Sequence, residues 1–181
     1  MNKKPRLFYA INLNSKTKQE IEEKIMPLIP KDKWRKTLPE NLHVTIRFLG
    51  QQPKEATRQL EQKTRELDIE EFDAELNCAG DFKGNVLWLG FGKGTQEFQH
   101  LNKKLQDTLE IKGEKFHAHI TLARNKGATK QETQETIKKI RKAMEPKTIK
   151  IKKLDLMESQ LQKTGPKYRK IYTKELTQAA E

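Results

Sequence analysis

The stretch HVTIRFLG at residues 43–50 and the stretch HITLAR at residues 119–124 begin alike: His, any residue, Thr, then an apolar residue. The chain holds four histidines, and two of them stand in this phrase. With fifteen threonines in the chain, two such coincidences among four histidines would arise by chance only a few times in a hundred. Each phrase alternates polar and apolar side chains and is rich in β-branched residues, the pattern of a half-buried strand. Alternate residues of a strand share a face. His43, Thr45 and Arg47 are therefore expected on one face, with Val44, Ile46 and Phe48 toward the core. In the second phrase His117, His119 and Thr121 share a face, and Ala118, Ile120 and Leu122 point the other way.

Around these phrases the rest of the chain falls into order. RLFYAINL (6–13) reads as a strand. Residues 15–29 carry Ile21, Ile25 and Leu28 at helical spacing, with Ser15 as the expected N-cap and Pro27 and Pro30 marking the end. Residues 34–42 read as a loop or edge segment, and Pro53 opens a charged helix to about Leu67. FDAELNCA (72–79) and NVLWLGF (85–91), joined by GDFKG, form a hairpin. Residues 95–110 are an amphipathic helix with Phe98, Leu101, Leu105 and Leu109 on its apolar face. A strand over 115–124 follows, then a helix over 130–144. Strands at 148–159 and 168–176 flank the turn KTGPK. The order β-α-β-α-β-β-α-β-α-β-β predicts an α+β fold with largely antiparallel sheet and no doubly wound nucleotide-binding pattern. The two motif histidines lie 76 positions apart, one in each half of an internal pseudo-duplication. No Pro/Gly/Ser-rich linker divides the halves, so residues 1–181 are expected to form a single two-lobed domain.

Composition narrows the function classes. Apolar and charged residues each make up 34% of the chain, with the apolar ones in short runs, which argues for a folded protein. No run reaches the roughly 18 residues of a membrane span, and MNKKPRLFYAINLNSK reads as a first strand rather than a leader. Cys78 is alone and is read as a small strand residue in a reducing compartment. The formal charge of +12 is uneven: residues 51–80 carry a net −4 and residues 136–181 a net +8. Such a balance suits a polyanionic partner, of which nucleic acid is the commonest.

If the two strands lie across a cleft, two imidazoles and two hydroxyls converge there, a set that suits phosphoryl chemistry. A neutral imidazole can take a proton from an attacking oxygen, and an imidazolium can give one to a leaving oxygen. Thr hydroxyls and a nearby Arg can hydrogen-bond the nonbridging oxygens. No metal or other cofactor is required. The alternative use of HAH (117–119) is a zinc site with His43 as third ligand, but neither phrase contains an acidic residue to serve as base. His100, within an amphipathic helix, reads as structural or solvated.

Together, RLFYAINL (6–13), LPENLHVTIRFLG (38–50), NVLWLGF (85–91), FHAHITLAR (116–124) and LMESQLQKTGPKYRKIYTKEL (156–176) resemble the two-histidine phosphoesterase superfamily, and within it the RNA 2′,3′-cyclic phosphodiesterases first named as 2′-5′ RNA ligases. The resemblance implies two lobes of antiparallel sheet and helix, related by a pseudo-twofold about a central cleft. It implies His43 as proton donor and His119 as proton acceptor, Thr45 and Thr121 on the phosphate, and a 2′-phosphomonoester product formed without a metal. Arg124 corresponds to an arginine often found after the second motif. Strict alternation turns it away from the cleft, so it helps only where the strand ends or bulges. The family's frequent RPH is HAH here, which leaves His117 either in phosphate contact or a spectator. The implied partner is RNA with 2′,3′-cyclic phosphate ends, tRNA fragments among the candidates, acted on by a cytoplasmic monomer. Two rivals stand beside this reading: an ATP-independent 2′-5′ RNA ligase, and a non-catalytic single-stranded RNA-binding protein using the basic C-terminal region. The sequence contains no Gly-rich phosphate cradle for a nucleotide-driven ligase.

Overall fold

The computed structural model describes residues 4–162 and 165–178. Among these residues nine strands form one sheet in which every pairing of strands is antiparallel. They are β1 (Arg6–Asn12), β2 (Trp34–Lys36), β3 (His43–Gln51), β4 (Phe72–Asp81), β5 (Val86–Phe91), β6 (His119–Asn125), β7 (Lys147–Ile151), β8 (Lys153–Gln162) and β9 (Gly165–Glu175). Their spatial order is β7-β4-β5-β6-β3-β1-β8-β9, with β2 off this path and paired to β6. The α+β expectation and its antiparallel sheet are met.

The sheet is nearly divided at its middle. β3 and β6 meet through Val44 and Ile120, each the residue after a motif histidine. Equivalent residues therefore face each other at the join, as a pseudo-twofold requires. On one side lie β3-β1-β8-β9 and on the other β6-β5-β4-β7, the two lobes.

Among the described residues four α-helices accompany the sheet: α1 (Ser15–Glu20), α2 (Ala56–Arg65), α3 (Thr95–Leu109) and α4 (Lys130–Ala143). Phe98, Leu101 and Leu105 of α3 and Ile137 and Ile140 of α4 are buried against the sheet, as their 3.6-residue spacing dictates. The buried Tyr9 hydroxyl lies 2.6 Å from Thr64 Oγ1 and ties α2 to β1. No helix among the described residues is long and apolar enough to cross a membrane.

Several sequence expectations need correction. The N-cap of α1 is Asn14, whose side chain accepts from Thr17 N at 2.8 Å; Ser15 is the first helical residue. The helix expected over 15–29 is α1 followed by a π turn at Ile21–Ile25 and a 3₁₀ turn at Met26–Leu28, where Pro27 ends regular bonding. Residues 53–55 form a turn, and α2 begins only at Ala56. The segment 148–159 is two strands: β7 pairs with β4, then the chain crosses at Lys152 and β8 pairs with β1. Both pieces carry buried apolar residues, so local periodicity reads straight through the break. The strand expected from residue 115 begins at His119, where pairing with Gly90 of β5 starts. In the turn KTGPK, Lys163 and Thr164 lie outside the described residues.

Candidate active site

β3 and β6 bring the two His-x-Thr phrases side by side. A cleft of about 230 Å³ is lined by His43, Thr45, His119, Thr121, Arg124 and Tyr168, among others. All five residues singled out by the motifs thus meet in one place.

Arg124 gets there through a bulge. Leu87 pairs with Ala123 and Trp88 with Thr121, which leaves Leu122 as an extra residue in β6. Leu122 and Ala123 are both buried, the alternation slips by one, and Arg124 returns to the face of Thr121. β3 does the same at the equivalent position. Tyr9 pairs with Arg47 and Ala10 with Thr45, leaving Ile46 extra. Here the slip reverses the expected faces. Arg47 is turned inward, 7% exposed, where its guanidinium donates to the Lys112 carbonyl and lies 3.7 Å from Glu114. Phe48 is turned outward, 69% exposed, and lines the cleft. Phe48 therefore occupies in one lobe the place that Arg124 occupies in the other.

The two imidazoles are held in the same way. His43 Nδ1 donates to the carbonyl of Asn41 at 2.6 Å, and His119 Nδ1 donates to the carbonyl of His117 at 2.7 Å. A carbonyl can only accept, so each Nδ1 carries the hydrogen and each Nε2 is left as the proton-exchanging atom. Thr45 Oγ1 lies 3.0 Å from His43 Nε2. Aromatic rings bracket both imidazoles: Tyr168 stands edge-on to His43 at 5.2 Å and Phe82 edge-on to His119 at 4.8 Å.

Burial removes water from both rings and disfavours their charged forms. It pushes His43 down to about 4; the Asn41 carbonyl opposes the shift, and the charges of Lys18 and His119 add to it. Burial likewise lowers His119, with the His117 carbonyl opposing and His117 and Arg124 adding. Near neutrality the open cleft therefore holds two neutral imidazoles. An anion seated between them reverses the balance and favours an imidazolium.

His117 contributes its carbonyl rather than its ring. The ring packs 4.9 Å from Trp88 and 5.7 Å from Phe82, outside the cleft lining. Among the described residues no group of three or more His, Cys, Asp or Glu is arranged to hold a metal ion. His100 is exposed on α3, and Cys78 Sγ donates to Asn77 Oδ1 at 3.0 Å on β4, away from the cleft. Phe48 and Arg35 are cleft residues that sequence reasoning missed, the first because alternation assigned it to the core. Arg35 sits in a segment read as loop or edge, and no local signal marks its role.

The sequence profile of the 2′-5′ RNA ligase superfamily matches residues 18–163. A protein of Aeropyrum pernix named RNA 2′,3′-cyclic phosphodiesterase is 28% identical over 144 residues, covering 74% of this chain and 81% of its own. A protein of the same name from Methanocaldococcus jannaschii is 27% identical over 177 residues, covering 90% of this chain and 96% of its own. The crystal structure of Escherichia coli LigT in apo form superposes with a TM-score of 0.81 at 23% identity, over 98% of this chain and all of that one. TT0787 of Thermus thermophilus gives 0.73 at 24% identity, over 97% of this chain and all of that one. The superfamily match spans both His-x-Thr strands, and with it the chain belongs to the 2′-5′ RNA ligase superfamily.

Proposed function

We propose that this chain is an RNA 2′,3′-cyclic phosphodiesterase working as a single two-lobed domain. The observation that carries the reading is the meeting of His43 and His119, each anchored through Nδ1 on a backbone carbonyl, beside Thr45, Thr121 and Arg124 in one cleft. In the scheme, His119 Nε2 takes a proton from water as the water oxygen attacks phosphorus. The bond from phosphorus to the 3′ oxygen breaks, and His43, protonated in the complex, gives its proton to that oxygen. A 2′-phosphomonoester remains. Each proton transfer is worth roughly 10²–10⁴-fold. Thr45, Thr121 and Arg124 hydrogen-bond the nonbridging oxygens as charge builds. No step is routed through a metal or cofactor.

RNA ends bearing 2′,3′-cyclic phosphates are the substrate class, tRNA fragments included, and the enzyme is a cytoplasmic monomer in this reading. Phe48 and Tyr168 in the cleft wall offer stacking surfaces for the terminal nucleoside. With a ribose 5′ hydroxyl attacking in place of water, the same acid–base pair expels the 3′ oxygen and leaves a 2′-5′ diester without ATP, and the 2′-5′ RNA ligase superfamily match supports this ligation as the second reading. Incubating the chain with a nucleoside 2′,3′-cyclic phosphate and following the product by phosphorus NMR is the test. A 2′-phosphate is expected. A 3′-phosphate would reverse the substrate's orientation, and no turnover would leave the RNA-binding reading.

A further inference from the structure

The cleft wall holds two exposed charges with no acidic partner among the described residues. β2 pairs with β6 so that Arg35 stands directly opposite Arg124. Like charges facing each other across antiparallel strands repel, and among the described residues no Asp or Glu lines the cleft. Among the described residues neither guanidinium has an ion pair or a hydrogen bond. Arg47, Arg141 and Arg169 each have one; Arg6, Arg58 and Arg65, also without one among the described residues, do not line the cleft. Lys36, next to Arg35, is engaged with the Met26 carbonyl at 2.6 Å. The basic C-terminal hairpin is partly neutralised from within, Arg169 by Glu158 at 2.8 Å and Lys170 by Asp155 at 3.1 Å.

A 2′,3′-cyclic phosphate carries one negative charge, and in the proposed scheme Arg124 serves it. Arg35 is left without a counter-ion in a wall built for anions. Its forked donors suit a phosphate or phosphodiester. In a polynucleotide the nearest further anion is the diester on the 5′ side of the terminal nucleoside. Phe48, exposed in the same cleft, can stack on the nucleoside between the two phosphates. We propose that Arg35 holds this 5′ diester, so that the cleft selects the ends of RNA chains over cyclic mononucleotides with a free 5′ hydroxyl. The proposal rests on the phosphodiesterase reading.

Three substrates test it: a nucleoside 2′,3′-cyclic phosphate with a 5′ hydroxyl, the same compound with a 5′ phosphate, and a dinucleotide ending in the cyclic phosphate. The parent chain should favour the dinucleotide over the 5′-hydroxyl compound in kcat/KM. Arg35→Gln should cut that ratio about tenfold, the low end for loss of a hydrogen bond to a charged group, and through KM rather than kcat. Arg35→Lys keeps the charge without the fork and should fall between. An unchanged ratio in Arg35→Gln, or an equal loss on all three substrates, overturns the proposal. So does an advantage confined to the 5′-phosphorylated mononucleotide, which would assign Arg35 to a monoester. If the parent chain turns over none of the three, it is the phosphodiesterase reading that fails. Equilibrium binding of a dinucleotide ending in 2′-phosphate, against the matching mononucleotide, then decides Arg35 by the same ratio.

Discussion

Val44 and Ile120 face each other across the rung that joins β3 to β6, and both are fully buried. Each is the neighbour of a motif histidine, so this contact sets the spacing of the two imidazoles. Ile120→Ala should lower unfolding free energy by about 2–5 kcal/mol and reduce kcat beyond the loss of folded protein. Urea titration with activity measured on the folded fraction checks both. A variant as unstable as expected but fully active per folded molecule would show that the rung does not set the site.

His43→Ala and His119→Ala should each reduce turnover of a cyclic phosphate at least about 100-fold, the lower bound for general acid–base catalysis. His100→Ala, on an exposed helix face, should not. An equal loss from the His100 change, with the fold intact by circular dichroism, would refute the assignment.

The paired bulges make a prediction about two arginines that alternation alone would exchange. Arg124→Ala should cost about 10²–10³-fold in kcat, the range for one transition-state donor. Arg47→Ala should instead lower the urea midpoint, since Arg47 is buried and bonded to the Lys112 carbonyl, and leave kcat close to the parent value. A large kcat effect at Arg47 would place that side chain back in the cleft.

Activity should depend on pH differently in the free and the bound enzyme. Burial lowers both imidazoles in the open cleft, so kcat/KM, which reports the free enzyme, should peak below about 6.5. Bound phosphate favours the imidazolium, so kcat should peak at higher pH. Superimposable profiles centred above neutrality would contradict this account.

Stability should carry the same signature. An exposed imidazole in the unfolded chain takes a proton near 6.5, whereas His43 in the fold resists until about 4. Between these values the unfolded chain binds more protons, so the contribution is whole above about 6.5 and is lost as pH falls toward 4. Its size is on the order of 3 kcal/mol. Urea midpoints near neutrality and near pH 4 should differ less in His43→Gln than in the parent chain.

Much of this was legible in the residues. His43, Thr45, His119 and Thr121 could be placed on strands, and on the correct face, because the two-residue period is a local property of extended backbone. The apolar stripe of α3 followed from its spacing in the same way. What could not be read locally depended on partners far along the chain. The extra residues Ile46 and Leu122 exist only in relation to β1 and β5, so the inward turn of Arg47 and the outward turns of Phe48 and Arg124 appear only once the ladders form. The break at Lys152 likewise depends on β4 and β1 competing for adjacent pieces of one apolar run.

The sequence by itself determined which side chains share one face, since imidazole and hydroxyl groups at two-residue strand spacing stand side by side wherever the strand lies. Only the tertiary structure decided which charges join them. Arg35 and Arg124 lie 89 positions apart, and nothing in either neighbourhood pairs them. Antiparallel registry between β2 and β6 sets them opposite each other, and registry is a property of two strands together rather than of either alone.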